Sequence, residues 1–129
     1  QASIEAGAKP LLGCEPGRGA SHYPASILDD VKPGMPAYAE ELFGPVASII
    51  RVRDEDEAVH VANDTLFGLG ASVWTQDKAR GESIARRIRA GATFVNAQVR
   101  SDVRLPFGGT KSSGFGRELA EHGIHEFMN

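Results

Sequence analysis

The run VASIIRV at residues 46–52 begins the stretch that decides the fold, because it combines strand length with β-branched side chains. Two further short apolar runs follow, ASVWT at residues 71–75 and ATFV at residues 92–95. Asp54 and Asp77 each precede a segment with apolar residues at helical spacing, so both are predicted helix N-caps. The order β-α-β-α-β predicts a three-layer α/β fold, in which helices cover a parallel sheet joined by right-handed crossovers.

Local signals define the two predicted helices more closely. Asp54 lies three residues before Glu57, which is the spacing of a capping box. Gly68 is expected to end the first helical segment, and Gly91 is placed as the C′ glycine of the second. Three strands with two helices make a thin core, so we expect such a sheet to expose apolar surface.

The segments outside this unit are less regular. Residues 1–34 are punctuated by Gly and Pro, and contain only a helix tail over residues 1–8 and a short strand over residues 25–31. Residues 97–117 show no helical or strand period, and their aromatic residues argue against disorder. A long ordered loop is usually functional, and a last helix is expected to begin near Glu118.

The composition is that of one ordinary soluble domain, with 129 residues, 41% hydrophobic and 24% charged. A net charge of −3 argues against nucleic acid or an anionic membrane as partner. One cysteine excludes an intrachain disulfide, which favours a reducing compartment or indifference to redox, and we expect a cytoplasmic protein. No apolar run approaches the ~20 residues that span a bilayer, and no signal peptide is recognised. Because Gln1 lies in a helix tail, a piece of a longer protein is expected.

Two motifs flank the predicted β-α-β-α-β unit. Residues 40–46 (EELFGPV) place an acidic pair and an aromatic ring beside a Gly-Pro turn, just before the first strand. Taken alone, such a pair is most simply a solvated one on a capped turn. Residues 106–118 (PFGGTKSSGFGRE) read alone as a flexible glycine loop, or as glycines that let the backbone approach a neighbouring segment closely.

Together these motifs resemble the C-terminal part of the aldehyde dehydrogenase superfamily. Residues 40–46 match its EE-x-FGPV segment, and residues 63–70 (NDTLFGLG) match its N-x-x-x-(Y/F)-GL segment. The remaining signature, G-x-x-x-(I/V)-N followed by PFGG-x-K-x-SG-x-GRE, is matched by residues 91–96, 106–109 and 113–118. The motif set is long, ordered and correctly spaced along nearly the whole chain.

The resemblance implies that residues 1–129 are one C-terminal fragment of the α/β catalytic domain, without the cofactor-binding domain or the nucleophile segment. The implied reaction is oxidation of an aldehyde to the carboxylic acid with NAD or NADP, through a thiohemiacetal on a cysteine upstream of this fragment. The catalytic cysteine and the glutamate base would both lie outside the chain. The parent protein would be a homodimer or homotetramer.

The resemblance also assigns roles to individual residues. Glu41 matches the glutamate that hydrogen-bonds the hydroxyls of the nicotinamide ribose, a task that suits a carboxylate. Phe43 matches the ring that packs near the nicotinamide and limits where it can lie. Residues 96–107 match the loop that covers the aldehyde entrance, in which Phe107 corresponds to an aromatic wall of the substrate tunnel.

The same loop indicates the substrate. In the succinate-semialdehyde branch, a serine five residues after the Val-Asn asparagine helps to bind the distal carboxylate, and that position here is Ser101. Arg100 and Arg104 flank it, and guanidinium groups hold carboxylates well. Asp102 would oppose an anionic substrate if it pointed inward. The alternative is that both arginines face solvent and the serine is simply part of the loop.

The remaining reactive side chains are not expected to do chemistry. Cys14 lies in a context (LLGCEP) unlike the family's nucleophile segment, and the adjacent Glu15 does not favour a thiolate. Asn96 lies at a strand end and is expected to support the loop rather than an oxyanion. The four histidines lack metal-ligand spacing, so no metal site is expected.

Three hypotheses about function follow from the sequence. The first is part of an NAD(P)-dependent aldehyde dehydrogenase, most like the succinate-semialdehyde branch, which is inactive as an isolated fragment. The second is a dehydrogenase of another aldehyde. The third is a non-catalytic assembly or binding module derived from the family, against which stand Glu41, Phe43 and Phe107, since their identities serve an active site rather than a core.

Overall fold

The structure is a computed structural model that describes residues 1–15, 17, 19 and 22–128. The chain divides into two compact units, Gln1–Arg53 and Asp54–Asn129. The first unit contains α1 (Ala2–Glu5), β1 (Lys9–Leu12), β2 (Ser26–Asp29), α2 (Pro36–Ala39) and β3 (Val46–Ser48). The second contains α3 (Glu55–Asn63), β4 (Phe67–Gly68), β5 (Gly70–Val73), α4 (Lys78–Ala85), β6 (Ala92–Val95), β7 (Thr110–Lys111) and α5 (Ala120–His125).

The first unit is built on a three-stranded sheet in the order β1-β2-β3. β1 runs antiparallel to β2 with an irregular register, whereas β2 runs parallel to β3, with Ser26 opposite Val46 and Leu28 opposite Ser48. The pairing continues past β3, because the N–H of Ile49 donates to the carbonyl oxygen of Leu28 over 2.7 Å. The strand predicted over residues 25–31 is therefore confirmed, and so is the beginning of the one predicted at Val46.

A small apolar core joins this sheet to the two short helices of the same unit. Its buried members are Ala8, Leu28, Val31, Met35 and Ala37. Ser3 is buried and polar, and its hydroxyl oxygen accepts the N–H of Ala37 over 2.8 Å, which ties α1 to the first turn of α2. Ser48 donates its hydroxyl to the carbonyl oxygen of Ala37 over 3.2 Å, so α2 is also tied to β3.

The second unit contains the β-α-β unit predicted from the sequence. β5 and β6 pair in parallel without a break, from Gly70 opposite Ala92 to Val73 opposite Val95, and α4 connects them. The N-cap prediction for α4 is confirmed, because the carboxylate of Asp77 accepts the N–H of Arg80 over 3.0 Å. The α/β fold class is thus confirmed by two parallel strand pairs.

Helices α3 and α4 of the second unit are joined by ion pairs. Asp54 caps α3 as predicted by accepting the N–H of Glu57 over 2.9 Å. Glu55, in the first turn of α3, binds Arg80 Nε over 2.7 Å and Arg87 Nη1 over 2.9 Å. This carboxylate near the positive end of α3 therefore links that end to α4 and to the turn that follows it.

Three predictions about the β-α-β-α-β unit are wrong. Gly68 does not end the first helical segment, because α3 ends at Asn63 and Gly68 lies in β4. Its three strands do not form one parallel sheet, since β3 pairs with β2 while β5 pairs with β6. Gly91 is not the C′ glycine of α4, which ends at Ala85, and Gly91 is not among the residues with positive φ. Instead its N–H donates to the carbonyl oxygen of Gly68 over 2.9 Å, and it lies against the carbonyl of Gly108.

Several irregular segments contain short elements that the sequence does not predict. β1 lies within residues 1–34, where all four of its residues are exposed, so no buried face marks it; four other positions of that segment (16, 18, 20 and 21) lie outside the described residues. β7 lies within residues 97–117 and pairs antiparallel with β4, which follows α3 after three connecting residues. The last helix is present as α5 and begins at Ala120, close to the predicted start.

The predicted exposure of apolar surface is confirmed in both units. Large apolar side chains that are more than half exposed include Leu11, Leu12, Phe43, Leu66, Trp74, Val103, Phe115 and Phe127. Fully buried large side chains are few among the described residues, and Val31 is the clearest of them. No helix within the described ranges is both long enough and apolar enough to cross a membrane.

Candidate functional site

The first candidate segment, residues 40–45, is the acidic-aromatic segment of the first unit. It begins where α2 ends, and two successive tight turns shape it: the N–H of Gly44 donates to Leu42 O, and the N–H of Val46 donates to Gly44 O, both over 2.8 Å. The carbonyl oxygen of Pro45 accepts the N–H of Ser26 over 2.8 Å. The predicted Gly-Pro turn is therefore present, and it is fastened to the start of β2.

The acidic-aromatic segment holds its functional candidates away from the core of its unit. The ring of Phe43 is 95% exposed, although an aromatic ring is a large apolar group that cores usually bury. The side chain of Glu41 is exposed as well. An acidic group and an uncovered ring on a backbone fixed at both ends form a surface suited to a ligand with polar hydroxyls and a flat ring.

The second candidate segment, residues 96–107, belongs to the second unit and is called the aldehyde loop here, after the role that the resemblance implies. Asn96 fastens its beginning, because the N–H of Thr75 donates to Asn96 Oδ1 over 2.9 Å and Asn96 Nδ2 donates to Thr75 O over 2.8 Å. Phe107 fastens its end by a pair of 2.8 Å backbone hydrogen bonds with Glu118. The expectation that Asn96 supports the loop is therefore confirmed.

Inside the aldehyde loop, Asp102 and Arg104 form a tight ion pair. Asp102 Oδ1 accepts from Arg104 Nε over 2.9 Å, and Oδ2 accepts from Arg104 Nη2 over 2.6 Å. Oδ1 also accepts the backbone N–H of Arg104 over 3.0 Å. The side-chain hydrogen bonds from Arg104, followed by this backbone bond, hold the pKa of Asp102 far below its ordinary value, and the same pairing raises the pKa of Arg104.

The neighbouring candidates for carboxylate binding, Arg100 and Ser101, differ from Arg104 in their contacts. Arg100 and Ser101 are both exposed, and neither makes a side-chain hydrogen bond or salt bridge within the part of the chain that the structure describes. The structure thus separates the two arginines that the sequence groups together. Arg104 has a partner inside the loop, whereas Arg100 and the hydroxyl of Ser101 remain available to a ligand.

Phe107 lies half-buried at the wall of a cavity of about 410 Å³. The rest of the lining includes Gly108 and Arg117 of the glycine-rich segment (residues 106–118), Leu69, and Phe127, which follows α5. Arg117 Nη1 donates to the carbonyl oxygen of Gly109 over 3.0 Å, so this guanidinium closes the glycine turn. Phe115 lines the same cavity and is fully exposed; its place in a PFGG…SGFGRE sequence is the signal that could have identified it.

Cys14, which the sequence does not predict to be catalytic, has a structural role in the first unit. Cys14 packs against the core of the first unit, and its Sγ donates to the carbonyl oxygen of Leu12 over 3.2 Å. Its φ of 66° lies in the left-handed region, within the turn between β1 and β2. No group of three or more His, Cys, Asp or Glu side chains that could hold a metal ion occurs among residues 1–15, 17, 19 and 22–128.

The α/β chain thus has an exposed Glu-x-Phe segment before β3, and after β6 an anchored loop in which Arg100 and Ser101 are exposed. All of residues 1–129 match the aldehyde dehydrogenase family, and the chain belongs to that family.

Two sequence relatives are succinate-semialdehyde dehydrogenases. The succinate-semialdehyde dehydrogenase (NADP⁺) 1 of Mycobacterium ulcerans (strain Agy99) is 50% identical over 128 residues, which cover 99% of this chain and 27% of that protein. The succinate semialdehyde dehydrogenase (NAD(P)⁺) Sad of Escherichia coli (strain K12) is 45% identical, over 98% of this chain and 28% of that protein. The chain therefore spans little more than a quarter of the length of these relatives.

A solved structure agrees with them. Succinic semialdehyde dehydrogenase from Streptococcus pyogenes, in complex with NADP⁺ as the cofactor, superposes with a TM-score of 0.92 and 36% sequence identity. The superposition covers 99% of this chain and 28% of that one.

Proposed function

We propose that residues 1–129 are a C-terminal fragment of the catalytic domain of an NAD(P)-dependent aldehyde dehydrogenase, which oxidises succinate semialdehyde to the carboxylic acid. Its similarity to succinate-semialdehyde dehydrogenases supports this proposal, and the chain spans little more than a quarter of their length. The single structural observation that carries it is the exposure of Glu41 and Phe43 on a backbone that is fixed at both ends.

The acidic-aromatic segment fits a nicotinamide cofactor. The Glu41 carboxylate has acceptor sites for two vicinal ribose hydroxyls, and such charge-assisted hydrogen bonds are short and strong. The Phe43 ring, which its own unit leaves uncovered, would restrict where a flat ring beside it can lie. When bound, NAD⁺ or NADP⁺ supplies the hydride acceptor for the oxidation.

The aldehyde loop fits a short substrate that carries a carboxylate at its far end. The hydroxyl of Ser101 and the guanidinium of Arg100 would hold that carboxylate by charge-assisted hydrogen bonds. The half-buried ring of Phe107 would form an apolar wall beside the carbon chain. Arg104 belongs to the same loop and acts there together with Asp102.

The nucleophile and the glutamate base are proposed to lie in the rest of the protein. Cys14 is engaged with carbonyl oxygens and the core of the first unit, which gives it a structural place. The isolated 129-residue chain is therefore expected to have no dehydrogenase activity. The complete protein is proposed to be a cytoplasmic homodimer or homotetramer, which light scattering and cell fractionation would test.

The cofactor assignment is tested by Glu41→Gln in a complete dehydrogenase that carries this sequence. Because the amide loses the charge that strengthens hydrogen bonds to hydroxyls, the KM for the cofactor should rise about tenfold. Glu40→Gln is the matched control, since it removes the adjacent carboxylate and should change this KM less than about twofold. Equal effects of the two substitutions would contradict the assignment.

The substrate assignment is tested by Ser101→Ala in the same protein. The value of kcat/KM for succinate semialdehyde should fall about tenfold, since one hydrogen bond to a charged group is lost. An uncharged aldehyde of similar length should be oxidised as before. If both aldehydes are affected alike, or if the unaltered enzyme has no preference for the carboxylated one, succinate semialdehyde is not the substrate.

A further inference from the structure

The pairing of Asp102 with Arg104 uses both oxygens of the carboxylate. Three hydrogen bonds of 2.6 to 3.0 Å join the two residues, two of them to the guanidinium and one to the backbone N–H. The side chain of Asp102 is only 22% exposed, although that of Arg104 is 82% exposed. A planar guanidinium that meets a carboxylate with two parallel bonds is the strongest arrangement for such a pair.

This pairing decides the charge that the aldehyde loop presents. Arg100, Asp102 and Arg104 are the charged residues of the segment, and the last two compensate each other. Within the described part of the chain, Arg100 has no salt-bridge partner of its own and acts on Asp102 only as a nearby charge, and the adjacent hydroxyl of Ser101 makes no hydrogen bond. An arginine at position 104 therefore removes the negative charge that would otherwise lie one residue from Ser101.

The pairing also fixes the shape of the same turn. The N–H of Leu105 donates to the carbonyl oxygen of Asp102 over 2.9 Å, which closes the turn on the backbone side. The N–H of Ala120, at the beginning of α5, donates to the carbonyl oxygen of Val103 over 3.1 Å. The tip of the loop is thus held from within by the ion pair and from outside by α5.

We propose that Asp102 and Arg104 are positioning residues for a carboxylated aldehyde, and that Arg104 does not itself bind the substrate. Arg104 neutralises and holds Asp102, so that the anionic end of the substrate meets Arg100 and Ser101 without a free carboxylate beside them. This inference rests on the proposed function, because it concerns the same reaction and the same loop.

The test is a double-mutant cycle in a complete dehydrogenase that carries this sequence, measured with succinate semialdehyde and with an uncharged aldehyde of similar length. Arg104→Gln leaves the Asp102 carboxylate unpaired, so the KM for the anionic substrate should rise about threefold to tenfold relative to the uncharged one. The double variant Asp102→Asn with Arg104→Gln should return the ratio of the two KM values to within about twofold of the unaltered enzyme. Arg104→Lys keeps the charge but not the two parallel hydrogen bonds of the guanidinium, so its ratio of KM values should lie between those of Arg104→Gln and the unaltered enzyme.

Each other outcome overturns the proposal. If the double variant remains as impaired as Arg104→Gln, then Arg104 binds the substrate directly. If both KM values rise together, the pair has only a structural role. The increase caused by Arg104→Gln should also shrink in about 0.5 M salt, as expected for a charge effect, and a salt-independent ratio would contradict it.

The cycle separates this inference from the proposed function. An unaltered enzyme without preference for the carboxylated aldehyde contradicts the proposed substrate alone. The KM ratio of Arg104→Gln still reports on the pair, because an unpaired Asp102 carboxylate repels any anionic aldehyde that enters the loop. A ratio that does not change on this substitution overturns the inference whatever the substrate is.

Discussion

Asn96 and Thr75 exchange two hydrogen bonds, in which the side-chain amide of one residue pairs with the backbone of the other. The backbone N–H of Asn96 also donates to the carbonyl oxygen of Val73 over 2.8 Å. The amide thus extends the parallel pairing of β5 and β6 by one step, at the point where the chain leaves β6 for the aldehyde loop. The φ of Asn96, 53°, lies in the left-handed region, which asparagine tolerates better than most residues.

Asn96→Ala should therefore destabilise the beginning of the aldehyde loop. Two hydrogen bonds are lost and alanine is less suited to this φ, so the free energy of unfolding should fall by about 1–3 kcal/mol. Urea denaturation of the complete dehydrogenase would measure it. Asn96→Gly loses the same hydrogen bonds without the backbone strain, so it should cost less than alanine; an alanine variant as stable as the unaltered protein would show that the amide pairing contributes nothing.

Lys111 of the PFGG-x-K segment has a structural partner rather than a ligand. Its Nζ donates to the carbonyl oxygens of Asn63 and Thr65, both over 3.1 Å, at the C-terminal end of α3. Lys111→Met should lower the free energy of unfolding by about 1 kcal/mol, because it removes the cation that satisfies these carbonyls. Lys111→Arg, which keeps the charge, should lose less. A methionine variant that is fully stable but has a raised KM for cofactor or aldehyde would instead place Lys111 in the active site.

The sequence predicted those features of the fold that depend on residues close together in the chain. Asp54 and Asp77 cap their helices through the N–H three residues on, so the relevant partner lies within one turn and is readable from spacing. The pairing of β3 with β2 joins segments about twenty residues apart in the sequence, and it depends on tertiary contacts between them. Spacing alone does not determine that choice, so the single three-stranded sheet predicted from it was wrong.

The candidate site was likewise predicted only in part from the sequence. The family resemblance identified Glu41 and Phe43, and their exposure agrees with a role outside the core. The sequence grouped Arg100 with Arg104 because both flank Ser101. Asp102 lies two residues from each of them, so sequence spacing does not determine which guanidinium it binds. In the structure, Asp102 pairs with the guanidinium group of Arg104 and not with that of Arg100.

Gly91 allows the glycine-rich segment to approach the beginning of β6. A Cβ at this position would collide with the carbonyl of Gly108, and a backbone atom cannot move aside as a flexible side chain can. Gly91→Ala should therefore lower the free energy of unfolding by about 2 kcal/mol or more, with loss of soluble protein as the simplest readout. Gly44→Ala is the matched control, since a Cβ there meets nothing within 4 Å and its φ is not positive. Equal behaviour of the two variants would refute this close-approach argument.

Asp29 and Arg51 form an ion pair in the first unit, in which the carboxylate is largely enclosed. Arg51 Nη2 lies 2.5 Å from Asp29 Oδ2, and the Asp29 side chain is only 9% exposed. The hydrogen bond from Arg51 lowers the pKa of Asp29 below its ordinary value of 3.8, and the N–H of Asp30, which donates to Asp29 Oδ1 over 2.7 Å, lowers it further. The carboxylate is therefore stabilised in the folded state more than in the unfolded one.

The pair should give the protein an acid-sensitive part of its stability. A lowered pKa in the folded state contributes stability that is present above the unfolded pKa and is lost as pH falls through the folded value. Arg51→Gln should accordingly destabilise the protein at neutral pH, and the difference from the unaltered protein should shrink between about pH 4 and pH 2. Urea denaturation across this range measures the difference. Arg51→Lys should retain part of it, whereas the double variant Asp29→Asn with Arg51→Gln should lack its pH dependence; a difference that stays constant with pH would mean that Arg51 acts through packing rather than through the charge of Asp29.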